Sequence, residues 1–321
     1  MPSISLVVCL FRERDFLKRL LSETEGLFDD LIVVHDGTEV IGGSVSNKER
    51  PAPLDYAECA TGEIKEAGYV ESQGRPDRDS IAELVRQYGG RFFAGPRCYQ
   101  QEPHWPFAWL QAKHEWILRL DADEFPSAPL KEWLGAFRKQ PEPTGEIAGY
   151  TCVWPLWNGR RAVTEHWPNG RIFLFHKRRV RFIGMVEEVP IPEGVFDPLK
   201  LVLRHEPKRR SYGLSNLVFR RQAYNWRRVI AESLLRPPTK LPRWRWSSEI
   251  WPQQWTEIQR HPLITALKRP PRVILRQSFE MWRTEGKFSL SAVLGTGLHQ
   301  LLLCCRFMIY KHRSAHKSST R

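Results

Sequence analysis

Apolar residues cluster at the start of the chain, in Ile4-Ser-Leu-Val-Val-Cys-Leu-Phe11. That run has the length and β-branched content of a buried strand and is too short to span a bilayer. Phe16, Leu17, Leu20 and Leu21 then recur at helical spacing, with Asp15 placed to cap the helix. Leu31-Ile-Val-Val34 predicts a second strand, ending in His35-Asp36-Gly37-Thr38. From Glu39 to Arg78 the pattern dissolves into Gly, Pro and Ser without a period, which predicts a long loop or insertion. Asp79 to Gly90 reads as a capped helix with a glycine stop, Arg91 to Ala94 as a short strand, and Phe107 to His114 as a helix. Trp116-Ile-Leu-Arg-Leu120 is a further buried strand. This alternation predicts an α/β fold with a mostly parallel sheet flanked by helices.

The later pattern is different. A helix over Leu130 to Arg138 is followed by strand-like stretches at Ile147–Trp157, Arg171–Phe175, Val180–Ile183, Gly184–Val189 and Leu201–Leu203. Beyond Arg204 the spacing turns helical, with Tyr212 to Leu235 the longest candidate and a Pro/Trp/Arg-rich segment from Pro237 to Pro252. Near the end, Leu290, Val293, Leu294, Gly297, Leu298, Leu301, Leu302, Cys305, Met308 and Ile309 form an apolar helical stripe.

Charge marks a boundary in the same place. From Arg204 to Arg321 there are 24 Lys and Arg against 6 Glu and no Asp, whereas the rest of the chain is net acidic. A basic helical end suggests an anionic partner. Together with the 13 Trp residues, it favours an anionic membrane surface over nucleic acid, for which no recognition motif is present. The apolar stripe is expected to lie in the membrane interface, with docking on the protein as the alternative. The six Cys have no zinc spacing, so core thiols in a reducing compartment are expected. No signal peptide is recognisable, and the expected location is cytoplasmic, peripheral on the inner face of the membrane.

The densest chemistry is Asp121-Ala-Asp123-Glu124, directly after an apolar strand. Carboxylates crowded at a strand end repel one another, more so when buried. A hard, oxygen-liganded cation, Mg²⁺ or Mn²⁺, removes that cost and commonly shares its shell with substrate phosphates. Asp36 also ends a strand, and ligands of open α/β sheets bind at the carboxyl ends of strands.

These stations resemble family 2 glycosyltransferases of the GT-A fold: a first strand at Ile4 to Phe11, Val33-Val-His-Asp-Gly-Thr38 after the second, and Leu118-Arg-Leu-Asp-Ala-Asp-Glu124. Arg171-Ile-Phe173, Gly184-Met-Val-Glu-Glu188 and His205 resemble the subgroup that builds lipopolysaccharide cores and related envelope glycans. The resemblance covers roughly Ile4 to Tyr224. It implies an inverting, metal-dependent transferase that takes a nucleotide sugar, typically a UDP-sugar, to a lipid-linked or envelope saccharide. In that reading Asp36 contacts the nucleobase, Asp121 lies near the ribose or the metal, and Asp123 and His205 hold the metal. Glu188 is the general base, with its neighbour Glu187 as the alternative. Residues 1–205 would be the donor-binding and catalytic domain and residues 206–321 a membrane-associating region. His35, where an Asp is usual, and Glu187, where a His is usual, depart from the pattern. One rival, a nucleotidyltransferase, would want a Gly-rich phosphate loop, and Phe11-Arg-Glu-Arg14 has no Gly. The other, a nucleic-acid-binding protein, leaves the acidic cluster unexplained.

Overall fold

The computed structural model describes residues 1–37, 70–71, 81–95, 98, 100–166, 170–182, 185, 188–235 and 252–319. The expected insertion from Glu39 to Arg78, the Asp79 cap, Glu187 and nearly all of the Pro/Trp/Arg segment lie outside them, apart from Val70, Glu71 and Pro252.

The sheet is built on β1 (Ile4–Leu10), β2 (Asp30–Asp36), β4 (Arg91–Gly95) and β5 (Trp116–Arg119), adjacent and parallel in the order β4-β2-β1-β5. A short β3 (Val70–Glu71) lies antiparallel outside β4. Beyond β5 the sheet continues with β8 (Arg171–His176), β7 (Ile147–Val153), β11 (Val195–His205) and β6 (Glu124–Pro126), while β9 (Val180–Arg181) and β10 (Ile191–Pro192) pair separately. Following the pairings across, β7 and β11 run with the first four, and β3, β8 and β6 run against them. The result is an α/β fold with a mostly parallel sheet.

Alternation along the strands builds a core on each face. Leu6, Val8 and Leu10 of β1, with Leu31 and Val33 of β2, pack on one side. There they meet α1 (Arg14–Thr24), α2 (Ile81–Gln87) and α4 (Ala128–Phe137) through residues such as Leu17, Val85 and Leu134. Val7, Cys9, Ile32 and Val34 face the other side, against Phe107 and Trp109 of α3 (Trp105–Gln111). Both faces are covered, so the strands read as continuous apolar runs. Helix α2 stops where expected: Gly89 takes φ +70°, a left-handed conformation that costs glycine little.

Several local expectations give way. Glu13, not Asp15, occupies the N-cap of α1, and Asp15 sits in the first turn, where a carboxylate favours the helix dipole. Strand β11 is far longer than Leu201–Leu203: Asp197, Pro198 and Lys200 interrupt its apolar residues and all but Leu203 are partly or fully exposed, so it lacks a continuous apolar signature. Glu188 is not on a strand; its N–H closes a turn onto the Met185 carbonyl. Tyr212 to Leu235 is two helices, α5 (Leu214–Leu217) and α6 (Arg221–Ser233), separated at extended Arg220. Arg227 of α6 folds back and donates to the Leu217 and Val218 carbonyls at 2.6 and 3.0 Å, satisfying the end of α5.

All described elements after His205 are helical, with α7 (Gln253–Arg260), α8 (Pro262–Glu285) and α9 (Leu290–Ser319) completing the set. Helix α9 is long and apolar enough to cross a membrane by length and composition. One of its faces is nevertheless docked: Val293, Leu303, Cys304 and Phe307 are buried with α6, α7 and Met281 of α8. Close approach depends on glycine at Gly295, where a Cβ would sit 2.7 Å from the Gly213 backbone.

Candidate active site

Because β1, β2 and β5 are parallel, their carboxyl ends open at one edge of the sheet. A cleft of about 1700 Å³ lies there. Phe11, Arg12, Glu13, Asp36, Asp121 and Asp123 line its sheet side. Residues of the β11–α5 connection, α6, α8 and α9 line the other.

The turn after β5 is fixed by its own third carboxylate. Glu124 is fully buried and accepts from the Asp121 N–H at 2.9 Å. It also pairs with Arg171 of β8 at 2.8 Å, and the same guanidinium reaches Asp121 at 2.8 Å. Burial works against charge on Arg171, but Asp121 and Glu124 outweigh it and hold the guanidinium charged, above its ordinary range. Part of the carboxylate repulsion anticipated from sequence is therefore relieved by an arginine, which a single strand's sequence cannot reveal. What remains open is Asp121 Oδ1, buried with no hydrogen-bond partner.

Strand pairing delivers the histidine. The antiparallel register of β11 on β6 sets His205 opposite Glu124, and Glu206 N–H bonds to the Asp123 carbonyl at 2.9 Å. His205 Nε2 lies 3.5 Å from Asp123 Oδ2, and its ring stacks on Trp154 at 4.2 Å. For Asp123, burial pushes the carboxyl up, but the hydrogen bond and charge of His205 prevail and leave it below its usual range.

Asp36 sits at the far end of the same cleft, buried. Its Oδ1 accepts from Cys98 N–H at 2.5 Å and lies 3.0 Å from His104 Nε2. His35 takes a supporting role in place of the usual carboxylate. Its Nδ1 lies 2.7 Å from the Gly37 carbonyl and its Nε2 accepts from Arg12 N–H at 3.3 Å, which makes Nδ1 the protonated nitrogen. Arg12 itself is held at φ +58°, an uncommon conformation for a side-chain-bearing residue.

Glu13 was not singled out in the sequence. It lines the cleft, and burial, then Asp123 and Asp121, raise its carboxyl from 4.5 to about 7. The signal was available: it follows the first strand as Asp36 follows the second and Asp121 another, at the same edge.

Glu188 is placed elsewhere. It is 3% exposed and accepts from Gln254 Nε2 at 2.7 Å and from Trp255 Nε1, tying its turn to α7. It does not line the cleft. The structure thus brings Asp36, Asp121, Asp123 and His205 to one cavity and leaves Glu188 outside it, while Glu187 is not described.

The donors suit a hard divalent cation: two carboxylates and an imidazole, with one carboxylate oxygen unpartnered. They are spread rather than closed around a point. The described trio whose ligand atoms all fall within 4.8 Å of one another is Asp36, Cys98 and His104. An open set is what Mg²⁺ or Mn²⁺ shared with substrate phosphates would need.

No family model and no curated protein matches the chain. Among solved structures, S. aureus TarS is similar over 95% of this chain and 54% of its own, at 13% identity and a TM-score of 0.34. A structure of S. aureus TarS 1-349 is similar over 98% of this chain and 92% of its own, at 12% and 0.33. A mycobacterial protein is similar over 75% and 76%, at 12% and 0.36. The chain spans about half the length of the first of these. Superpositions this loose say nothing of what this chain acts on.

Proposed function

We propose that the chain is an inverting, metal-dependent glycosyltransferase of the GT-A type, taking a sugar from a nucleotide sugar, a UDP-sugar, to a lipid-linked or envelope saccharide. The observation that carries this reading is the convergence of Asp36, Asp121, Asp123 and His205 at the carboxyl ends of parallel strands in one cleft. Asp123 and His205 would hold Mg²⁺ or Mn²⁺, with Asp121 Oδ1 as a further ligand. When bound, the cation neutralises charge on the departing diphosphate. Asp36, fixed by Cys98 and His104, would orient the nucleobase.

In the transfer, the bond from the anomeric carbon to the diphosphate breaks as the acceptor hydroxyl attacks from the opposite face, and its proton passes to a carboxylate. We place Glu13 in that role because it lines the cleft beside Asp121 and Asp123. Glu188 could take it only by giving up its bonds to Gln254 and Trp255.

We also place the chain on the cytoplasmic face of an anionic membrane. With α9 docked by one face, the apolar surface left over is mainly on α8. Leu267, Leu275, Phe279 and Trp282 are 59–71% exposed at helical spacing, in a region rich in Lys and Arg. Such a surface suits an anionic bilayer.

UDP binding in Mn²⁺ and in EDTA tests the site. Affinity should fall at least about tenfold in EDTA, and Asp123→Ala in Mn²⁺ should match the EDTA value. Equal UDP binding in all three conditions would overturn the metal-donor reading.

A further inference from the structure

The wall of the cleft facing the carboxylates is built differently. Lys208, Arg209, Arg210, Arg220, Arg221 and Arg228 all line it. None of the six is within ion-pair distance of a described carboxylate. Lys208 and Arg220 feel the charge of Glu13, and Arg220 that of Asp123, only across the cleft, while their close contacts are uncharged: Lys208 lies over the Phe16 ring, Arg210 over Tyr212, and Arg220 donates to Asn216 at 3.0 Å. Arg19, by contrast, pairs with Glu23 and Glu206.

A second set of observations comes from the same wall. Arg228 Nε, Trp226 Nε1, Gln277 Oε1 and Gln300 Oε1 are buried and lack a hydrogen-bond partner, and all four residues line the cleft. Buried polar groups are rarely left unmatched, and each one costs free energy comparable to a lost hydrogen bond. Four on one wall, from α6, α8 and α9, describe a surface finished by a polar ligand. Tyr224 lines the same wall and carries a further cation, the Arg306 guanidinium 3.8 Å over its ring.

We infer that this wall is a binding site for a saccharide bearing phosphate groups, and that the acceptor of the proposed reaction is therefore a phosphorylated sugar or sugar diphosphate. The assignment to the acceptor rests on the transferase reading; the anion site does not. Six cations exceed what one donor diphosphate needs, since in the proposed reaction that group would be met by a metal held on the opposite wall. A neutral glycan would leave them repelling one another.

The test uses full-length protein in EDTA, which closes the metal route, with glucose 1-phosphate, inorganic pyrophosphate and glucose as calorimetric probes. Both phosphate probes should bind, with affinity falling as salt rises, and glucose should not. Arg209→Glu combined with Arg221→Glu should weaken the phosphate probes by tenfold or more, while UDP binding in Mn²⁺ changes less than threefold. Asp123→Ala should show the reverse. Phosphate binding unchanged by the arginine variants would overturn the site. A parallel loss of UDP binding would overturn the acceptor assignment, giving the wall to the donor instead. A single-stranded oligonucleotide binding more tightly than either phosphate probe, and lost in the same variants, would overturn it in favour of nucleic acid. If Asp123→Ala leaves UDP binding intact while the arginine variants lose the phosphate probes, the transferase reading fails and the anion site stands.

Discussion

On the sheet side of the cleft nearly every carboxylate has an arginine or a histidine set against it; on the helical side the cations make no close pair with a described acid. Asp121 and Glu124 share Arg171, Asp123 meets His205, and Asp36 meets His104. Lys208, Arg209, Arg210, Arg220, Arg221 and Arg228 make no ion pair with a described carboxylate. The first wall is internally balanced, which suits a site whose geometry must be fixed before a ligand arrives. The second wall is unbalanced, which suits one completed by its ligand. Glu13 is the exception on the acidic wall: it makes no ion pair with a described cation and lies in the field of Asp123 and Asp121. Its place in the cleft beside Asp121 and Asp123, free of a close ion pair, is why it is the group we assign to proton transfer.

The largest expected effect breaks that assignment if it fails. Glu13→Gln keeps the shape and removes the proton acceptor, so kcat should fall on the order of 10²- to 10⁴-fold with UDP binding little changed. Glu188→Gln should instead act on stability, costing about 1–3 kcal/mol through its bonds to α7, with kcat of the folded protein kept. Steady-state kinetics beside denaturant melts separate the two. The reverse pattern would return the base to Glu188.

Balance on the acidic wall can be removed at its centre. Arg171→Leu leaves Asp121 and Glu124 facing each other without their cation, a change that typically costs about 3–5 kcal/mol. Urea unfolding measures it, and a loss below about 1 kcal/mol would show that Arg171 does not balance this wall.

A smaller effect follows from the raised carboxyl of Glu13. In the metal-free fold it keeps its proton to about 7, against 4.5 in an unfolded chain. Between those values the folded protein binds more protons, so its stability declines as pH rises through that window. Glu13→Gln should flatten the decline in EDTA between pH 4.5 and 7, as read by denaturant midpoints. Identical slopes for the two proteins would contradict the buried, like-charged environment described for Glu13.

The smallest effect concerns the outer surface. Leu275→Asp with Phe279→Asp should reduce co-sedimentation with anionic vesicles several-fold while leaving the fold intact, because both side chains are exposed. Unchanged sedimentation would show that α8 does not meet the membrane. Removing α9 is not a clean alternative, since Leu303, Cys304 and Phe307 belong to the core.

The parallel half of the sheet was legible because its strands are buried on both faces and carry their own signature. So were Asp36, Asp121 and Asp123, which follow such strands directly, and His205, reached through the family resemblance. Arg171 was visible as part of a strand, but its pairing with Asp121 and Glu124 exists only through the β5–β8 register. The strand expected through Glu188 was not borne out, because its turn has the apolar spacing of a strand and the partner that holds it, Trp255, is 67 residues away. The charge of the C-terminal third was plain in the sequence. That six of its cations face the carboxylates across a cleft depends on where the β11–α5 connection and α6 are placed against the sheet, and packing of that range leaves no local trace.

Nucleotide release tests the central claim most directly. The full-length protein is incubated with a panel of nucleotide sugars in Mn²⁺ or Mg²⁺, with and without excess EDTA, and free nucleoside diphosphate is followed. The account predicts diphosphate release from a UDP-sugar that stops in EDTA and is absent in Asp123→Ala. Release that continues undiminished in EDTA or in that variant would contradict it, as would no release from any nucleotide sugar with sugar-phosphate acceptors present.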